Sequence, residues 1–359
     1  MPPTTTTSRP RPRPEPVLGR LGDDDPTAWD ALVRATPGAS FGHLSAWRGI
    51  LREALGLESV YLTAAAADGS LAGVLPLVRI RSRLFGHSLV SMPYLNEGGP
   101  IGTPAARRAL LEGAVAEARR SGARLLELRT RAAQEAVAGT GAARHKVTVL
   151  LELPDTAEEL WSKRLPSKLR SQIRRPQKEG LVARFGPELR DAFYQVFARN
   201  LRDLGTPVHP RAFFDAIAAA LPEQVVFGAV FAGDVAVAAG CGFLWQGELE
   251  ITWAGSLREH KRAAPNMLLY WAFMEEAIRR GARTFNFGRC TPDGGTHRFK
   301  QQWGGADVEL PWVRWPERGA EPPSADGAAF RLATRAWQRL PLGLANRLGP
   351  VLARRIATY

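Results

Sequence analysis

Apolar and polar positions alternate along this chain in two ways, and the two kinds of stretch recur in the same order twice. Leu44, Trp47, Ile50, Leu51 and Leu55 fall at helical intervals and predict a helix over 45–55, preceded by a shorter one over 26–35. Strands over 60–66 and 71–80 flank Asp68 and Gly69, an Asp-Gly hairpin turn. A strand over 88–92, a loop at 96–100, a helix over 104–120 and a strand over 124–129 complete the series. The second half repeats it with helices over 190–200 and 210–221, a hairpin over 225–245, a strand over 248–255, a helix over 265–280 and a strand over 284–288. Gly122, Ala123 and Arg124 return as Gly281, Ala282 and Arg283, and Glu117 then superimposes on Glu276. A period this long predicts two copies of one mixed α/β unit rather than a solenoid.

The connections between copies carry their own pattern. A strand over 150–153 leads to Thr156 and Glu159, spaced as a capping box at a helix start. In the basic stretch 165–178, Leu165, Leu169 and Ile173 mark an apolar face, while Arg170, Arg174 and Lys178 share another at four-residue spacing. That second face reads either as a solvated side of a packed helix or as a cationic ridge for phosphates. The resulting division is a disordered tail at 1–16, a first unit at 17–153, a basic connecting helix at 154–186, a second unit at 187–316 and a linker with an amphipathic helical tail at 317–359. The tail, with Trp337, Leu340, Leu344, Leu348 and several arginines, reads as a helical pair that either packs on its own unit or lies on an anionic membrane face.

Composition narrows the class. At 359 residues and 45% hydrophobic content the chain fills real cores, except over the Pro-, Thr- and Arg-rich first sixteen residues, which hold nothing to bury and do not resemble a secretory signal. Residues 225–245 are apolar enough to raise a membrane span, but Ala232, Gly233 and Asp234 place a turn at their centre. Cys241, Cys290 and six scattered histidines offer no disulfide framework and no metal-type spacing. A net charge of +13 points to a polyanionic partner: tRNA, a nucleotide-linked sugar or an anionic membrane face. The expected location is cytoplasmic, with peripheral contact at the inner membrane through the tail.

Chemistry concentrates between Thr284 and Trp312. Two half-buried strands flank a glycine-rich loop (Asp293, Gly294, Gly295), with Arg289 just past one strand end and Lys300 after the aromatic Phe299. Cations held at such places and facing a cleft suit an anion or a developing oxyanion. Pairing with Asp293 or Asp307 is the structural alternative. Asn286, Trp253 and Tyr270 are further candidates for cleft walls. No carboxylate stands out as a general base.

Four stretches, 169–180, 200–208, 265–282 and 285–304, resemble in order and spacing the Fem-like (FemAB-related) aminoacyltransferases of cell-wall crossbridge synthesis. Residues 337–350 look like the tail of the exosortase (PEP-CTERM) system-associated group. The order of helices, hairpins and crossover helix likewise resembles an acyltransferase domain of the GNAT type. The resemblance implies an α/β (α+β) fold of tandem duplicated GNAT-like domains with mixed sheets, plus a basic C-terminal helical tail, and an acceptor cleft between the two halves. It implies an acyl or aminoacyl group carried to an amine of a cell-envelope, peptidoglycan or exopolysaccharide precursor. Phe299 and Lys300 match the family's aromatic and lysine, the lysine being implicated in stabilising charge at the transferred acyl group. Arg289 is the second catalytic candidate, and Arg170 and Arg174 are assigned to acceptor phosphate.

Two departures bear on this reading. Pro176 stands where a small helical residue is usual and predicts that the basic helix ends at Arg175. Acyl-CoA-dependent members of the superfamily cradle the pyrophosphate with a glycine-containing loop, whereas Arg258 to Ala263 carries Lys261 at the first glycine, and residues 95–100 of the first copy carry Glu97. The co-substrate is aminoacyl-tRNA or acyl-CoA, with no bound cofactor and no metal. The competing readings are an acyl-CoA-dependent GNAT N-acyltransferase and a non-catalytic RNA-binding protein.

Overall fold

The computed structural model describes residues 15–22, 26–82, 86–317 and 328–355. Most of the expected N-terminal tail and the linker after residue 317 lie outside these residues. The first half runs β1 (Val17–Arg20), α1 (Thr27–Ala35), α2 (Ala46–Leu55), β2 (Glu58–Ala65), β3 (Leu71–Ser82), β4 (Gly86–Val90), β5 (Ile101–Gly102), α3 (Pro104–Arg120), β6 (Leu125–Leu128), β7 (Gly141–Ala143) and β8 (Val147–Glu152). A three-residue helical turn α4 (Ala157–Glu159) and α5 (Ser167–Lys178) follow. The second half runs β9 (Leu181–Phe185), α6 (Arg190–Leu204), α7 (Arg211–Ala220), β10 (Val225–Ala232), β11 (Val235–Trp245), β12 (Glu248–Ser256), α8 (Pro265–Arg279), β13 (Thr284–Cys290), α9 (Gly295–Gln301), β14 (Ala306–Glu309) and β15 (Trp312–Trp315). Two terminal helices, α10 (Ala328–Gln338) and α11 (Leu342–Ala353), close the described chain.

The repeat read from the sequence is the repeat of the fold. In the first sheet an antiparallel β2-β3-β4 meander is followed by α3, which crosses to the parallel strand β6. In the second, β10-β11-β12 is followed by α8, which crosses to the parallel strand β13. Glu117 and Glu276 close the two crossover helices alike: each is a buried carboxylate in the last turns, gripped from the helix end by Arg120 in the first and by Arg279 and Arg280 in the second. Residues 225–245 form the expected hairpin. No helix among the described residues is long and apolar enough to cross a membrane.

The boundaries between the units are corrected by the strand order. The first sheet reads β1-β2-β3-β4-β6-β15-β7 with β5 on β3, and the second reads β14-β8-β13-β12-β11-β10-β9. Thus β8, expected to end the first unit, pairs with β13 and β14 in the second sheet. Conversely β15, expected beside the strand over 284–288, pairs with β6 and β7 in the first. Each copy places its last strand next to the other copy's crossover strand, an exchange that sequence-local pairing cannot reveal.

Period-two alternation then sorts each strand between cores. Leu75 and Leu77 face α3, while Val74, Val78 and Ile80 face the opposite way. Val226 and Val230 face α8, while Phe227, Ala229 and Phe231 face the opposite way. Those opposite faces, with α1, α2, α6 and α7, enclose one core shared by both halves. There Phe41 stacks on Phe243 with centroids 4.1 Å apart, and Trp245 donates through its indole to Ala39 O (2.7 Å). A buried stacked pair contributes about 0.5–1.5 kcal/mol beyond its area.

The basic helix also differs from expectation. α5 continues through Pro176 to Lys178, three residues past the predicted end at Arg175. Proline removes one helical hydrogen bond, an interior loss of about 3 kcal/mol, but Pro176 lies in the last turns, and its ring is buried, as are Leu169 and Ile173.

Candidate active site

Two loops and two strand ends bring the polar residues together between the sheets. After β4 the chain enters residues 91–100, all buried, with Met92 (φ 49) and Tyr94 (φ 74) in the left-handed region. Non-glycine residues pay for that conformation in strain, and they keep it where the surroundings fix it. Here Arg129, wholly buried, fastens the loop: its guanidinium donates to Leu95 O (2.8 Å), and its carbonyl accepts from Gly98 N and Gly99 N. The loop thereby delivers Asn96 and Glu97 to the second sheet.

On the second sheet, Leu249 and Ile251 of β12 face α8, so Glu248 and Glu250 point to the opposite side. Both partner strands are irregular at this point. β12 bulges against β11 at Thr252, and β13 bulges against β8 between Asn286 and Arg289. β12 and β13 pair only through Glu248, Leu249 and Glu250 against Thr284, Phe285 and Asn286. Beyond that the two strands part. Gly288 (φ 70) is required here, since a Cβ would stand 2.9 Å from Ile251 O in a backbone conformation side chains resist.

Glu250 is the centre of the network. Its Oε1 accepts from Asn96 Nδ2 (2.7 Å) and Thr252 Oγ1 (2.7 Å), and its Oε2 accepts from Asn286 Nδ2 (3.2 Å). Asn286, fully buried, also donates to Glu248 Oε1 (2.7 Å) and accepts from Thr148 Oγ1 (2.6 Å) and Gly288 N (2.8 Å). Arg131 forks onto Glu248 (2.7 and 2.8 Å) and reaches Glu97 Oε1 (2.6 Å). One guanidinium therefore serves two carboxylates, Glu248 and Glu97. Burial raises Glu250 to about 7, Glu248 adding to the rise and Arg131 and Lys300 opposing it. Burial also lifts Glu97 to about 8 against the pull of Arg131.

Lys300 lies in the last turn of α9. This helix is pinned by His297, whose Nδ1 accepts from Asp293 N (3.0 Å) and whose Nε2 meets Asp307 Oδ2 at 2.9 Å. Tyr270, Phe287, Phe299 and Trp303 pack beneath it, Tyr270 edge-on to Phe299 at 5.0 Å and stacked on Phe287 at 5.8 Å. The Lys300 ammonium, 4% exposed, donates to Gly288 O (2.5 Å) and Arg289 O (2.9 Å). Its third proton has no partner among the described residues. Burial lowers it to about 8, with Cys290 and Glu250 opposing and Arg289 assisting.

Arg289 is half-buried, donates to Leu95 O (3.1 Å) and lies over the Trp312 ring at 5.4 Å. Arg129 lies over the same ring at 4.9 Å. Burial, then Arg129, lowers Arg289 to about 9. Lys146, half-buried and donating to Thr291 Oγ1 (2.8 Å), is lowered by burial and by Arg289. Arg289, Lys146 and Arg314 thus form a cationic rim beside β13, offset chiefly by Glu127, which burial raises but Arg129 and Arg314 hold below its ordinary value.

The residues predicted from sequence separate into three groups. Lys300, Arg289 and Asn286 are brought together. Lys300 is corrected in one respect: its ammonium is buried against backbone carbonyls, paired with neither Asp293 nor Asp307, because α9 ends over the bulged strand. Tyr270 is corrected from a cleft wall to the aromatic bed of α9, and Phe299, the match to the family's aromatic, packs in the same bed. Trp253 is likewise no wall. The bulge at Thr252 turns it into the shared core, edge-on to Phe213 and Phe214 at 5.8 and 5.3 Å. Arg170 and Arg174 stand apart, without contact to Lys300 among the described residues. Arg170 donates to Trp161 O and Ser162 O (3.3 Å each), and Arg174 lies over the Trp161 ring at 5.2 Å, so both brace the turn before α5. The sequence reading missed Glu250, Glu97, Arg131 and Lys146. The signal it held was charged residues at alternate positions of an otherwise apolar strand, Glu248 and Glu250 flanking Leu249.

Residues 162–301 match the family described as Acetyltransferase (GNAT) domain. No curated protein sequence matches the chain. Among solved structures, the fold is similar to that of FemX, at 14% identity and TM-score 0.63, covering 82% of this chain and 96% of that one. It is also similar to L-PGS from Bacillus licheniformis (14%, TM-score 0.56, 88% and 98% covered) and to a tandem GNAT protein from the clavulanic acid biosynthesis pathway (13%, TM-score 0.53, 86% and 100% covered). The chain therefore has a doubled GNAT-like fold, and the acetyltransferase domain carried by residues 162–301 makes it an acyltransferase.

Proposed function

We propose that this acyltransferase carries an acyl or aminoacyl group to an amine of an anionic cell-envelope or exopolysaccharide precursor, nucleotide- or lipid-linked, as the likeness to Fem-like and exosortase-associated proteins suggests. The observation that carries the proposal is that a buried ammonium holding one uncommitted proton among the described residues and a buried carboxylate raised to about 7 both stand where β12 and β13 part. The amine nitrogen attacks the acyl carbonyl, Glu250 accepts the amine proton, and the carbonyl oxygen, now negative, accepts the third N–H of Lys300. The C–N bond forms as the C–O or C–S bond to the donor breaks, and the departing oxygen or sulfur takes up a proton. A fixed donor in a dry site needs no reorganisation as charge develops, which is why such groups contribute the largest share of many accelerations. Arg289 and Lys146 hold the anionic part of a substrate at the rim.

The donor is aminoacyl-tRNA in the reading favoured here. The segment before α8 is a 3-10 turn, Arg258–Ala263, with Lys261 where a CoA cradle needs glycine, and Arg258 is tied to Asp203 O. These residues do not fit the family's pyrophosphate loop. The positive charge of that turn favours phosphate all the same, so acyl-CoA remains the second reading. Thermal unfolding with each ligand separates them. A nucleotide-sugar precursor at about a hundred times its Kd stabilises by about 2.7 kcal/mol and CoA by nothing if the first reading holds; the reverse result overturns it.

A further inference from the structure

The last two helices carry a surface that acyl transfer does not use. Of the eleven large hydrophobic side chains exposed among the described residues, six fall in 328–355: Phe330, Leu332, Leu344, Leu348, Val351 and Leu352. The same stretch holds six arginines and not one aspartate or glutamate.

α11 is fixed in place by its other side. Ala345, Gly349 and Ala353, at four-residue spacing, are buried. A Cβ on Gly349 would stand 3.0 Å from the backbone of Val208, so the helix lies directly on the body. Ala353 O accepts from the Tyr94 hydroxyl (3.3 Å), and Leu340 O, just before the helix, accepts from Arg202 (2.9 Å). Leu344, Leu348 and Leu352 follow the same spacing one position earlier and face outward with Val351.

At the end of α11, Arg354 and Arg355 line a cleft of about 260 Å³ with Arg79, Arg81, Glu58 and Leu57. Arg79 is committed to Glu117 and Glu58, and Arg81 meets Glu58 at 3.5 Å. Arg354 and Arg355 have no ion pair among the described residues. Val351 precedes Arg354, and Leu352 precedes Arg355, by three residues, so each apolar side chain shares a helix face with a guanidinium.

We propose that this helix pair docks the protein on an anionic lipid bilayer, with Leu348, Val351 and Leu352 among the acyl chains and a lipid phosphate in the arginine-lined cleft. Charge selects this occupant. A second copy would set six arginines against six across a two-fold interface, and like charges face to face oppose association. An apolar stripe rimmed by arginine matches instead the boundary between anionic headgroups and acyl chains. The inference is independent of the reaction proposed above.

Flotation of the full chain with vesicles of phosphatidylcholine alone, or with one-third phosphatidylglycerol, tests it. Binding is expected only to the anionic vesicles and is expected to weaken with salt. Each arginine at such a surface is worth about fivefold, so Arg354→Gln with Arg355→Gln lowers affinity by about twenty-five-fold. Leu348→Ser, Val351→Ser and Leu352→Ser together abolish the binding that persists at high salt. Failure to bind anionic vesicles, equal binding to neutral ones, unchanged affinity in both variants, or binding of tRNA or a second copy in place of lipid overturns the proposal.

Discussion

Glu250 shows how one strand position sets both chemistry and stability. All its hydrogen-bond donors are neutral, two amides and a hydroxyl, so nothing compensates fully for removing the charge from water. The folded chain therefore holds the Glu250 proton up to about 7, where an unfolded carboxyl releases it near 4.5. Between those values the folded state binds more protons than the unfolded one, and stability falls as pH rises through the window. Glu250→Gln removes this titration. Denaturation at pH 5 and pH 8 is expected to show the variant gaining about 1–3 kcal/mol on the parent at the higher pH. Transfer by the parent rises with pH through about 7, whereas the variant is slower by about 10²–10⁴ with a flat profile there. A variant that keeps the rise would remove Glu250 from the reaction.

At the scale of elements, the helices and strands of both copies were legible because each carries an unbroken period, and the Asp-Gly turn and the break at Gly233 punctuate them. What was not legible depends on partners distant in sequence. The exchange of β8 and β15 leaves no local mark, since either strand would satisfy its apolar alternation in either sheet. The bulge at Thr252 is likewise invisible in a run that alternates on paper, and it is what sends Trp253 to the shared core and leaves Glu250 facing Asn96. Lys300 and Arg289 were read from the sequence as a pair at one loop, but their burial follows from α9, which the glycines at 294 and 295 disguised as loop. The parting of β12 from β13 makes its own prediction. Gly288→Ala places a Cβ against Ile251 O and Asn96 Nδ2 and displaces the carbonyls that hold Lys300. Thermal unfolding should report a loss of about 1–3 kcal/mol, and transfer should fall with it. Gly247→Ala, at φ 79 but in open space, carries the backbone strain alone and should leave transfer per folded molecule intact. Equal activity loss in the two would sever the bulge from the site.

As a whole molecule, the protein is two copies that cannot be cut apart. Each sheet contains a strand from the other half, and the shared core takes side chains from both. The polar network lies across the same division, with Asn96, Glu97 and Arg131 from the first half and Glu248, Glu250, Asn286 and Lys300 from the second. Duplication thus supplies a site that neither copy contains, and acyl transfer at that site is the central claim. Mass spectrometry of envelope precursors from cells making the parent protein, no protein, or Lys300→Ala tests it most directly. The account predicts an acyl or aminoacyl mass increment on an amine-bearing precursor with the parent alone, while Lys300→Ala accumulates folded and leaves the precursor unmodified. An increment of the same abundance with Lys300→Ala would contradict it.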